Sequence, residues 1–132
     1  WTILSGTYDF GSFKLHAGAD KVDNSDGVVG FVNSNLWTVG GSYKATDLLT
    51  LAVQYWTVNE KVGKATSSKL LVLNADYLLS KRSALYVMFG HVDNKDLGLA
   101  PLWGNQNFSG AGNVIVANAK SNGLAMGMRH SF

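Results

Sequence analysis

Few side chains in this sequence are grouped so as to carry covalent chemistry. There is no cysteine among the 132 residues, so thiol nucleophiles, disulfides and thiolate metal sites are excluded. The three histidines, His16, His91 and His130, are far apart in the chain; the strands read below place them on three segments and on different faces, so no zinc site is expected. Asp23-Asn24-Ser25-Asp26-Gly27 has the look of a calcium loop. Its glycine falls one place early, however, and the twelfth position is Ser34, where a bidentate Glu is needed. Gly110-Ala111-Gly112 does not sit between a strand and a helix as a phosphate cradle must, and no G-x-S-x-G elbow is present. No enzyme, metal or cofactor is expected. What remains is electrostatic: Lys14, His16, Asp20, Lys44, Asp76 and Arg129 are charged or titratable residues scattered through sparsely charged segments.

Composition narrows the class of element that positions them. Charged residues make up 15% of the chain, against about 25% in ordinary globular proteins. Fifteen glycines, four Trp, five Tyr and six Phe accompany a formal net charge of +2. Disorder calls for few aromatics and high charge, and nucleic-acid binding for concentrated Lys and Arg, so neither is expected. No apolar run approaches the ~18 residues of a spanning helix. Contact with a membrane must therefore be made by strands.

The hydropathy pattern has period two. Seven alternating segments run approximately over 1–9, 12–22, 36–44, 48–59, 69–79, 84–92 and 122–132, which predicts an all-β antiparallel meander with almost no helix. Short connections over 9–12, 44–47 and 80–83 contain Asp, Gly, Ser and Lys, the residues of tight turns. The connections over 23–35, 60–68 and 93–121 read as longer, polar and rich in Gly and Asn. Short turns at one end and long loops at the other are the pattern of an outer-membrane barrel.

Aromatic residues gather beside the short turns: Tyr8, Phe10, Phe13, Tyr43, Tyr77 and the terminal Phe132. An amphipathic ring is best placed at the lipid headgroups, so these six read as an aromatic girdle; strand propensity alone also favours aromatics. In the last segment Leu124, Met126, Met128, His130 and Phe132 share one face, and Gly123, Ala125, Gly127, Arg129 and Ser131 the other. The other segments repeat this division, and the six charged or titratable candidates all fall on the less apolar face. Alternation alone does not say which face is inside, because a soluble ligand-binding barrel would turn the apolar set inward. The polar face is mostly Gly, Ala, Ser and Thr, which suits a water-filled lumen better than a solvated exterior. Leu70, Val72, Leu78 and Met88 are out of place on it, unless they pack under an inward-folded loop.

Laid out in this way, the sequence resembles the general porins of Gram-negative outer membranes, closest to the trimeric beta-proteobacterial branch. The resemblance is carried by Tyr8-Asp9-Phe10-Gly11, by Leu79-Ser80-Lys81-Arg82-Ser83-Ala84-Leu85-Tyr86, by Val92-Asp93-Asn94-Lys95 and by the ending Gly127-Met128-Arg129-His130-Ser131-Phe132. The Ser-Lys-Arg turn and the Arg-His-x-Phe ending are specific in combination. The resemblance implies a transmembrane β-barrel of about 16 strands in the outer membrane, a homotrimer, and passive passage of small hydrophilic solutes and ions. Lys14, His16, Asp20, Lys44, Asp76 and Arg129 then become pore-lining candidates, each either shaping ion traffic or merely paired with a neighbouring charge. Gly127, His130 and Phe132 resemble the C-terminal signal read by the outer-membrane assembly machinery. Single-chain barrels have even strand numbers with both termini in the periplasm. Seven strands over 1–132 are thus expected to be one barrel segment, incomplete on its N-terminal side and without the family's constriction loop. The alternative is a small closed eight-stranded outer-membrane barrel with a structural or adhesion role, its extra strand drawn from Val114-Ile115-Val116; a soluble lipocalin-like binder ranks third.

Overall fold

A computed structural model describes residues 1–23, 33–62, 64–96 and 118–132. These form seven strands: β1 (Thr2–Asp9), β2 (Phe13–Val22), β3 (Asn33–Lys44), β4 (Leu49–Val62), β5 (Lys64–Leu78), β6 (Ser83–Lys95) and β7 (Lys120–His130). Each pairs antiparallel with the next, in the order β1 to β7. Among the described residues there is no helix, and β1 and β7 are not paired with each other. Among the described residues the sheet is an open meander, with β1 and β7 as its two edges.

The three tight turns form where turn chemistry predicts them. At the first, Gly11 adopts φ 90°, its N–H donates to Asp9 Oδ1 at 2.7 Å, and Phe10 N–H donates to the Phe13 carbonyl at 2.7 Å. At the second, Thr46 Oγ1 accepts from the amides of Leu48 and Leu49. At the third, Ser80 Oγ accepts from those of Arg82 and Ser83.

The opposite ends differ from expectation. No long polar connection occupies 60–68: β4 runs on to Val62 and β5 begins at Lys64, with Val62 paired to Lys64. Likewise β3 starts at Asn33 rather than Leu36, and the β6–β7 ladder extends to the pair Asp93 and Lys120. Alternation fades where both faces of a strand meet water, but the backbone ladder continues because every N–H and C=O still needs a partner. At the other extreme β7 stops at His130, two residues short of the expected end. The candidate eighth strand Val114-Ile115-Val116 and the calcium-like positions Asn24 to Gly27 lie outside the described residues.

Register gives the strands their tilt. One row on the apolar face runs Tyr8, Leu15, Gly41, Val53, Leu73, Phe89, Leu124. It lies one residue from the turn end of β1, two from that of β2, then three, four, five, six and six along β3 to β7. A stagger of about one residue per strand is the shear that tilts barrel strands by ~36°. With the turn ends level, the sheet has the geometry of a barrel wall.

Burial is inverted relative to a water-soluble domain. Ala84 and Val92 are the only buried hydrophobic residues among those described, while Leu4, Trp37, Val39, Val53, Leu73, Val87, Leu124 and Met126 stand exposed. These exposed residues share one face. Residues of the other face are more sheltered: Gly40 and Gly90 are buried, and His16, Gln54, Asn74 and Asp76 are half-buried. Of the apolar residues that fit the polar face poorly, Leu70, Val72 and Met88 are half-buried there, whereas Leu78 is exposed at the turn end.

Candidate functional site

The polar face holds the candidate site. Its central row is Thr7, His16, Gly40, Gln54, Val72, Gly90 and Gly123. Three glycines in seven positions leave room for the side chains between them. An added Cβ on Gly40 would collide with the His16 ring and the Gln54 amide. Those two side chains are hydrogen-bonded to each other above that glycine, and Gln54 Nε2 donates to Thr38 Oγ1. With its NH2 group so used, the Gln54 carbonyl must accept, so His16 Nε2 is the donor. His16 is thereby held by two strands it does not belong to.

A second cluster spans β5, β6 and β7. Arg129 reaches over β6 and donates to Asp76 Oδ1 at 2.6 Å, and the other carboxylate oxygen accepts from Asn74 Nδ2. The guanidinium carbon lies 6.0 Å from the centroid of the Tyr86 ring, within cation–π range. Tyr86 in turn covers Gly127, its paired residue, where a Cβ would come within 2.6 Å of the Tyr86 Oη.

All six sequence-derived candidates fall on this face, and each has a partner. Lys14 pairs with Asp9 at 2.9 Å, Lys44 with Asp47 at 3.0 Å, and Asp20 accepts from Trp1 Nε1 at 2.6 Å. They do not spread evenly along the strands. Lys14, Lys44, Asp76 and Arg129 lie within two residues of the turn ends of their strands; His16 is three residues from its turn end, and only Asp20 is near the opposite rim. Sequence reasoning missed Thr38, Gln54, Asn74 and Tyr86, which complete both clusters; their even numbering in β3 to β6 placed them on the candidates' face.

On the opposite face Tyr8, Phe13, Tyr43 and Tyr77 are exposed within one residue of the turn ends, with Phe13 and Tyr43 6.1 Å apart. Phe10 belongs to the first turn itself, 4.4 Å from Tyr8. Phe132 lies past the end of β7, fully exposed, edge-on to His130 at 4.9 Å. His130 Nδ1 is 2.9 Å from Ser83 Oγ, and Ser131 N–H donates to the Arg82 carbonyl at 2.9 Å. Gly127 is on the polar face and His130 on the apolar one. His91, also on the apolar face, is paired with Asn122 at 2.6 Å, so the three histidines stay separate.

No curated protein matches the chain. A family model described as Gram-negative porin matches residues 2–97, which takes in β1 through β6 and leaves β7 with its Arg-His-x-Phe ending outside the match. An open, sheared meander with an apolar exposed face and a sheltered, small-residue polar face agrees with that match, and the chain belongs to the Gram-negative porin family.

Proposed function

We propose that the chain forms part of the wall of a water-filled outer-membrane pore through which small hydrophilic solutes and ions diffuse down their own gradients. The observation that carries this reading is the reversed burial of the two faces. A bilayer solvates the exposed apolar face, and water solvates the sheltered polar one. In hydrocarbon the unpaired N–H and C=O groups of β1 and β7 must be satisfied by further strands. The seven strands are accordingly one segment, 1–132, of a larger closed barrel, of about 16 strands by resemblance, and a trimer of such barrels is the assembly the resemblance implies. A closed eight-stranded barrel would need its edges joined, and the described edges are not.

In this reading Lys14, Asp9, Lys44, Asp47, Asp76 and Arg129 make a charge-balanced ring near the periplasmic rim, and His16 and Gln54, three and five residues from their turn ends, present hydrogen-bonding groups above it. Selectivity follows from the charges lining a pore. With each of these paired, this stretch of wall favours neither sign of ion strongly. Gly127, His130 and Phe132 are proposed as the assembly signal, with the exposed Phe132 ring its most accessible part.

Planar-bilayer recording from the full-length protein tests the proposal. Stepwise ohmic conductance is expected, and well-inserted protein that passes no current would refute it.

A further inference from the structure

We propose that Lys69, Lys95 and Lys120, gathered around Asp93 on the apolar face, bind the phosphate of an anionic lipid whose acyl chain lies along the groove beneath them. The inference rests on the outward-facing reading of that face given above.

Register brings the four residues together. Lys69 stands opposite Asp93 across the β5–β6 ladder, Lys120 stands opposite it across the β6–β7 ladder, and Lys95 is two residues further along β6 on the same face. Lys120 Nζ is 3.1 Å from the Asp93 carboxylate. Lys69 and Lys95 are exposed and make no ion pair with any described residue. Three ammonium groups around one carboxylate leave a local charge of about +2, which matches a phosphate monoester at about −1.5 to −2.

Their height fits a headgroup. Lys69, Asp93 and Lys120 lie nine to ten residues from the turn ends of their strands. At ~3.3 Å per residue and ~36° tilt that is about 24 to 27 Å above the turns, the upper edge of an apolar band about 25 Å tall. Below them the apolar face carries a groove of about 440 Å³, bounded by Leu73, Val87 and Phe89 on one side and by Phe13 and Tyr43 on the other. Leu73 is four residues from Lys69, about 13 Å along the strand. A headgroup at the lysines therefore places its chain in the groove. At the turn rim the strand residues of the same face are Tyr8, Phe13, Tyr43, Leu49, Tyr77, Ser83 and His130, with no Lys or Arg among them, so the lysine cluster belongs to one leaflet.

The test uses the full-length protein in neutral detergent, titrated with phosphatidic acid and read by native mass spectrometry. Phosphatidylcholine of the same chains and inorganic phosphate serve as comparators. Phosphatidic acid is expected to bind more tightly than phosphatidylcholine. The double variant Lys69→Gln/Lys95→Gln should weaken it by about thirtyfold, at roughly fivefold per lysine, while Lys81→Gln/Arg82→Gln at the other rim leaves it unchanged. Equal binding by the lysine variant overturns the site, as does displacement of the lipid by millimolar inorganic phosphate, which would mark a soluble-anion site. A lowered oligomer mass in the variant overturns it too, because the lysines would then face a second copy. Conductance recorded on the same preparation separates the two readings: current with unaltered lipid binding in the variant sinks this site alone, and absence of current counts against the channel and not against the lipid.

Discussion

The two faces of β3, β4 and β5 are built from the same backbone and differ in every other respect. On one, Val39, Val53 and Leu73 project singly from a smooth ladder and touch little. On the other, Thr38, Gln54 and His16 bond across three strands over a glycine. At these three positions the first face needs no specific partner, because in the proposed pore lipid chains solvate an apolar side chain of any shape. The second is specific because water and the chain compete for each polar group, and small residues are needed wherever side chains cross. In the proposed pore, stability comes from the ladder and the surrounding bilayer, and solute passage from the sheltered face.

The most severe way to break this division is to put a charge on the apolar face. Val53→Lys should cost about 2–4 kcal/mol in vesicle-reconstituted full-length protein, as charges do at the lipid midplane. Ala52→Lys, one residue away on the polar face, should cost far less. Denaturant unfolding of the two variants in the same vesicles checks the contrast.

Crowding the polar face comes next. Gly127→Leu drives a side chain into the Tyr86 ring, for which the low end of the usual ~1–3 kcal/mol overpacking cost is expected because the ring can swing aside. Its diagnostic effect is to move Tyr86 off Arg129 and so change channel conductance. The same substitution at the exposed Met126 position, Met126→Leu, should change neither stability nor conductance.

Smaller effects concern the ion pairs. Arg129 is 67% exposed, so Asp76→Asn should cost under about 1 kcal/mol. It frees a guanidinium on the polar face, and the reversal potential in a salt gradient should move toward anion preference. Lys14→Gln should move it the other way. Lys44→Gln, whose partner Asp47 sits in the turn at 95% exposure, should alter stability least of all.

Much of this was legible in the residue order. Alternation in 48–56 and in 69–79 marks both the strands and their faces, and the Asp-Phe-Gly-Ser and Ser-Lys-Arg-Ser stretches mark the turns. The continuation of β4 and β5 toward position 63 was not legible, since the run Asn59-Glu60-Lys61 is polar throughout and breaks the apolar alternation. Only the pairing of Glu60 with Thr66 and Lys61 with Ala65 reveals it. Candidate charges could be assigned to a face by counting in twos, but their partners could not. Asp76 and Arg129 meet across an intervening strand, a relation that depends on the stagger of the whole sheet. The lysine cluster around Asp93 was hidden for the same reason, since three strands contribute to it.

The absence of cysteine from residues 1–132 lets the central claim be measured with cysteines introduced singly into this stretch, the unsubstituted full-length protein serving as the labelling blank. Single cysteines introduced along β4 at Leu51, Ala52, Val53, Gln54, Tyr55 and Trp56 in the full-length protein, reconstituted in vesicles, can be challenged with a charged, water-soluble thiol reagent. Labelling at Ala52→Cys, Gln54→Cys and Trp56→Cys with protection at Leu51→Cys, Val53→Cys and Tyr55→Cys is the predicted result. Labelling of the odd-numbered set, or of both sets alike, would contradict a wall with lipid on one side and water on the other.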